Sequence, residues 1–197
     1  VVTDPADAFS RLRPDGDLTS PILFGIIMSW VAMFLSQIWQ LLFGSFYRSL
    51  FSQFGGFEDA FAAPGIGGLI GTLVLWPIFF IIGLFIGAGI LHLCFMLVSA
   101  TKDSPSGFEG TIKVVAYAQT AGLASVVPVL GGLIMAVWSI YLEVIGAAAV
   151  HRTTQGKALM GVLIPILVCC FCGLVAAIMF GAMIAAFIAA LAGNAGT

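Results

Sequence analysis

The chain has 197 residues, 61% of them hydrophobic and only 8% charged, with a formal net charge of −2 and a mean hydropathy of +1.16. A soluble domain carries about 25% charged residues, so a water-soluble globule is excluded and an all-α, polytopic membrane helix bundle is expected. Nucleic acid is excluded as a partner, because no basic stripe exists to meet phosphates.

The elements fall in order along the chain. Residues 1–20 form an expected cytoplasmic segment. Asp4-Pro5 followed by Asp7 is a helix-start pattern, and Phe9 and Leu12 share a face with Arg11 and Arg13 nearby. This predicts a short helix lying on the membrane surface as an anchor, ending at the turn signal Pro14-Asp15-Gly16. These residues are too polar for a signal peptide, and the chain opens on Val1 rather than Met, so further residues upstream are expected.

One membrane domain, residues 21–191, follows, with a tail at 192–197. Its first span is predicted at Pro21–Phe43, with Ser20 as N-cap and Pro21 in the first turn, where its missing N–H is not needed. The outer loop from Gly44 to Pro64 carries Phe46, Tyr47, Leu50, Phe51 and Phe54 among polar residues. That spacing predicts a second interfacial helix, with Phe57 and Phe61 continuing an aromatic belt. The second span covers about 66–98 and is interrupted by Pro77; the third, 112–127, is short and stops at Pro128; the fourth is 131–150 and the fifth 157–191. A crossing needs roughly 20 residues, so the second and fifth should tilt, kink or project.

Orientation follows from the cations. With the N-terminus cytoplasmic and the C-terminus outside, Arg11, Arg13, Lys102, Lys113, Arg152 and Lys157 fall inside and only Arg48 outside, a strong positive-inside bias. The uncharged turn from Val126 to Gly132 leaves a re-entrant hairpin of the third and fourth blocks open, since the charge count would not register it.

Small residues predict where helices meet. Gly173, Ala177, Gly181, Ala185 and Ala189 recur at every fourth position of the fifth span, and Gly83 and Gly87 repeat the spacing in the second. Short side chains let another backbone approach; a span of the same chain is the preferred partner, another copy the alternative. Cys169, Cys170 and Cys172 lie about 12 residues into the fifth span and are expected to be small apolar fillers rather than a redox or metal pair. The stretch Gly65-Ile66-Gly67-Gly68-Leu69-Ile70-Gly71 imitates a phosphate loop but lacks a strand before it and a Lys within it; it is expected to be a hinge. No nucleophile-and-base pattern is present, so no enzymatic activity, metal or cofactor is expected.

A family resemblance rests on Ser106-Gly107-Phe108, Val115-Ala116-Tyr117-Ala118, Pro128-Val129-Leu130-Gly131-Gly132, Trp138, Ile145-Gly146 and the run from Val150-His151-Arg152 through Gly156-Lys157-Ala158. With Asp4-Pro5, Ala8-Phe9 and the first span, these residues resemble the Yip family of Ypt/Rab-interacting membrane proteins over nearly the whole chain. The resemblance implies five spans with a cytosolic N-terminus and, in eukaryotic members, GTPase partners and vesicle traffic. The long polar N-terminal arm of those members has no counterpart between Val1 and Pro21, so a bacterial-type member in a bacterial cytoplasmic membrane is implied.

One carboxylate, Glu143, falls inside the fourth span, about eight residues or roughly 12 Å from its cytoplasmic end. His92, Tyr117 and Gln119, counted from the ends of their own spans, come to a similar depth. Because an isolated carboxylate in hydrocarbon costs several kcal/mol, Glu143, His92, Tyr117 and Gln119 are expected to form an intramembrane polar cluster. It would serve either as a clasp fixing helix register or as a proton or ion site. Beyond it, His151, Arg152 and Lys157 are expected to form a basic turn facing anionic head groups. The expected function is therefore a non-enzymatic membrane protein that organises the bilayer, binds protein partners or self-associates. The alternative is a small transporter or channel working through Glu143.

Overall fold

The computed structural model describes residues 4–12, 17–51, 65–128 and 130–194. Its elements are α1 (Pro5–Ser10), α2 (Thr19–Phe51), α3 (Ile66–Leu97), α4 (Gly107–Ala118), a 3-10 segment (Gln119–Val126), α5 (Gly131–Val150) and α6 (Gln155–Asn194). Helices satisfy their own backbone polar groups, which lipid cannot do. Four stretches are long and apolar enough to cross a membrane: Thr19–Phe46, Gly67–Leu97, Gly131–Val150 and Gln155–Ile184. Pro77 and Pro165 are carried inside unbroken helices, as membrane helices tolerate.

The third apolar block departs from a plain spanning helix. Its α-helix lasts 12 residues and gives way to eight residues of 3-10 helix. At about 1.5 and 2.0 Å per residue the two pieces together reach about 34 Å. This arm is the most enclosed part of the molecule: every residue from Gly110 to Ala116 is buried. α2, α3 and α5 surround α4, while α2 and α5 pack on the 3-10 segment. Enclosure explains its lower hydropathy, since Thr111, Lys113 and Thr120 are screened from lipid by neighbouring helices. The 3-10 segment is tied to α2 by Trp39 Nε1, which donates to the Ser125 carbonyl at 2.8 Å, and by Ser125 Oγ, which donates to the Ala32 carbonyl at 3.4 Å.

The main core lies where five segments converge. It joins Leu84, Ala88, Leu91 and Phe95 of α3 and Ala100 of the loop that follows with Ile112, Val115 and Ala116 of α4, Ala147 of α5, and Ala158 and Val162 of α6. The other half of α6 contributes nothing to it: every residue from Ile166 to Ile184 is exposed. The bundle is thus closed at the end where α3 finishes and α6 begins, and α6 runs out of it alone.

Three local expectations need correction. α2 starts at Thr19, with Asp17 Oδ1 accepting from Thr19 N at 3.0 Å and Thr19 Oγ1 at 2.8 Å, so Ser20 lies inside the helix rather than capping it. These bonds hold the Asp17 carboxyl below its ordinary range, with some help from the charge of Lys113. The helix expected to begin separately after Gly44 is instead a continuation of α2 to Phe51; no proline interrupts it, and one glycine is a small penalty in a long helix. Phe54, Phe57 and Phe61 fall outside the described residues. α1 forms with the expected Asp4 cap, whose Oδ1 accepts from Asp7 N at 3.0 Å. It does more than rest on lipid, however. Phe9 is 1% exposed and clusters with Ala118, Ala121 and Leu142, flanked by Tyr117 and Ile145.

Candidate functional site

Polar chemistry concentrates at the closed end of the bundle. α5 ends in a turn in which His151 N donates to the Ala147 carbonyl at 2.9 Å and Thr153 N to the Ala148 carbonyl at 3.1 Å. Arg152 takes a positive φ of 51° to make it, a position usually given to glycine. The turn sends the His151 ring inward, to 0% exposure. Its Nδ1 lies 2.7 Å from Ser104 Oγ and its Nε2 3.0 Å from Thr111 Oγ1; Thr111 Oγ1 lies 2.8 Å from His92 Nδ1. Gly107 N donates to Ser104 Oγ at 3.2 Å. Three consecutive segments, α3, the 99–106 loop and α4, are therefore joined to the distant end of α5 by one hydrogen-bonded chain.

The chain has a preferred polarity. A neutral imidazole donates from one nitrogen and accepts at the other. If Ser104 donates to His151 Nδ1, then His151 Nε2–H donates to Thr111 and Thr111 donates to His92 Nδ1, so every hydrogen between Ser104 and His92 has an acceptor. The reverse order leaves the Ser104 hydroxyl hydrogen without an acceptor within this chain of groups. Aromatic rings line the site: Phe95 stands 5.5 Å from the His151 ring, and Phe108 lies edge-on 5.6 Å from His92. Burial, and secondarily the neighbouring His92, push the His151 pKa down to about 4. Gly110 makes room for this packing, since a Cβ there would stand 2.6 Å from Val150 Cγ1 and 3.3 Å from His151 Cε1.

The expected polar residues are distributed differently. His92 is taken by Thr111 rather than by Glu143. The two rings, His92 and His151, are only 6.0 Å apart, so His92 is level with the end of α5, while Glu143 sits about 12 Å further along that helix. Depth counted from helix ends fails because α3 continues past the level at which α5 stops. Tyr117 packs between Phe9 and Phe24, at centroid distances of 6.5 and 5.1 Å, and Gln119 Nε2 donates to the Val115 carbonyl at 3.3 Å. Glu143 is half-buried; among the described residues no hydrogen bond or ion pair reaches it. Of the expected basic turn, Arg152 and Lys157 are exposed and His151 is not.

The rows of small residues face outward. A Cβ added at Gly83, Gly87, Gly173 or Gly181 would meet nothing within 4 Å, and Ala177 is exposed; the side chain of Ala185 lies outside the described residues. The preferred intramolecular partner is thus not what covers them. Close helix approach occurs instead at Gly146, beneath the Phe9 ring, and at Gly161, beneath Phe95. Cys169, Cys170 and Cys172 are free and exposed on α6, and Cys94 is free and buried. Among the described residues no group of three or more His, Cys, Asp or Glu is placed to hold a metal ion.

The residues missed by sequence reasoning are Ser104 and Thr111. A hydroxyl in a loop and another in the second turn of a helix carry no signal until the fold sets them against two imidazoles. No curated protein and no solved structure matches the chain. The Yip1 domain matches residues 1–177, across every element from α1 into the distal half of α6, and the chain belongs to the Yip1-domain family of multi-pass membrane proteins.

Proposed function

We propose that this protein is a non-enzymatic organiser of its membrane that works by association of its copies through α6. The observation that carries this reading is the distal half of α6, apolar and uncovered, with Gly173, Ala177 and Gly181 at every fourth position and open space beside both glycines. In lipid the hydrophobic effect does not drive helices together; close van der Waals packing does, and small residues permit it. The topology belonging to this reading is five crossings, N-terminus cytoplasmic and C-terminus outside. It is supported by the six-to-one split of the cations and by the reach of about 34 Å of α4 with its 3-10 continuation. A bacterial cytoplasmic membrane is the location the family resemblance favours. Copies bearing two different tags, expressed together, should copurify from mild detergent, and Gly181→Leu should cut that recovery several-fold. Recovery no higher than from membranes mixed after expression would contradict the reading.

A second reading is favoured by Glu143. An ionisable side chain inside a span, without a hydrogen-bonding partner among the described residues, is where a proton or cation pathway would be sought. On this reading Glu143→Gln abolishes proton-coupled or cation flux in proteoliposomes while the fold survives. No flux in the parent protein would remove it.

A further inference from the structure

The chain from Ser104 to His92 has a property that ordinary helix packing does not require. It contains both histidines of the protein, and it is the direct polar link between the 99–106 loop and the end of α5. We infer that it is a proton-operated latch: while both imidazoles are neutral it holds the 99–106 loop and the first two turns of α4 against the end of α5, and protonation releases them.

The geometry explains why a proton acts on it. Thr111 has one hydroxyl hydrogen and stands between two ring nitrogens, so it can donate to only one of them while accepting from the other. A proton added to His92 places an N–H where Thr111 now donates, so the Thr111 hydrogen loses its acceptor and its oxygen is left to accept from both rings. A proton added to His151 likewise leaves the Ser104 hydrogen without the ring acceptor, its oxygen then accepting from both His151 and Gly107 N. Either event also places a cation 6.0 Å from the second imidazole, in a site walled by Phe95 and Phe108. An ionised group is costly there unless a counter-charge is at hand.

The charged groups around the latch do not supply one. From α3 the facing titratable group is His92. Asp103 and Lys102 of the loop are exposed, as are Glu109 at the start of α4, Arg152 in the turn and Lys157 on α6. Lys113 is buried on α4 and acts on Asp17. Glu143 lies about 12 Å along α5, and no carboxylate is hydrogen-bonded to either ring among the described residues. Two non-glycine residues at positive φ flank the latch, Ser99 at 54° and Arg152 at 51°. Such conformations persist only when the surroundings hold them, and release of the latch lets both turns relax. Burial, and then His92, hold the His151 pKa at about 4, which puts completion of opening in the acid range.

The test is hydrogen exchange by mass spectrometry on the full chain in nanodiscs at pH 7 and pH 4, with protection factors corrected for intrinsic exchange. Protection across residues 99–111 should fall at least tenfold at pH 4, while peptides in the middle of α5 keep theirs. A His92→Gln/His151→Gln double variant should show no such pH response. The inference is overturned by unchanged protection in the parent, by loss of protection in α5 to the same extent, or by a double variant that responds as steeply as the parent. Should the double variant fail to fold, Asp103→Asn/Glu109→Gln decides. It retains both imidazoles and should respond like the parent, and loss of its response would assign the acid effect to carboxylates and overturn the latch.

Discussion

His151 shows how one side chain can tie chain order to stability. Its folded pKa of about 4 lies below the ordinary 6.5 because the ring is buried and His92 stands beside it. The unfolded chain therefore takes up the proton first as pH falls. The contribution of the neutral ring is complete above about 6.5 and is lost as pH drops from there through about 4. The thermal midpoint of the parent in nanodiscs should fall across that window more steeply than that of His151→Gln, and equal slopes would remove His151 as the cause. Little of this was legible in the sequence. Residues 92, 104, 111 and 151 share no local pattern, and His151 sits beside Arg152, which argues for a surface cation. What turns it inward is the end of α5, where a non-glycine residue adopts the left-handed conformation. The carboxylate at Glu143 was visible as an anomaly, but its neighbours could not be found by counting from helix ends, because the helices end at different levels.

Individual helices were far easier to read than their faces. α5 occupies the expected residues 131–150, and α3 ends one residue from its expected limit, since long apolar runs bounded by glycine, proline or charge leave few choices. The faces were misread because spacing alone does not say which small residues are covered. Gly173 and Gly181 stand in the more regular row and are open, whereas Gly161 lies against the buried Phe95. Gly161→Ala places its Cβ into the Phe95 ring and should cost about 1–3 kcal/mol through overpacking. Gly181→Leu, on the open face, should leave the unfolding midpoint of the isolated protein unchanged. Equal destabilisation by the two substitutions in denaturant unfolding would mean that α6 is packed along its whole length.

At the scale of the molecule, the enclosed arm formed by α4 and the 3-10 segment decides the topology. If it crosses, the ends of the chain lie on opposite sides. Single cysteines placed at Arg48 or Asn194 in an otherwise cysteine-free chain should then react with an impermeant reagent added outside sealed cells, and those at Lys102 or Thr154 should not. Labelling at Lys102, or protection at Asn194, would mean that the arm turns back. The charge count favours this arrangement independently of the fold, because positive-inside bias acts on loops whatever the helices between them do. It could not reveal that the arm is walled in by α2, α3 and α5, which is a property of packing and not of composition.

Association through the open face of α6 is best tested in native membranes by oxidative cross-linking of two single-cysteine variants, each in a background lacking Cys94, Cys169, Cys170 and Cys172. Ala177→Cys lies in the row of small residues, and Met179→Cys, 68% exposed at present, points about 200° away around the helix. The expected result is a dimer band for Ala177→Cys and little or none for Met179→Cys. Equal cross-linking at both positions, or none at Ala177→Cys, would contradict association through that face.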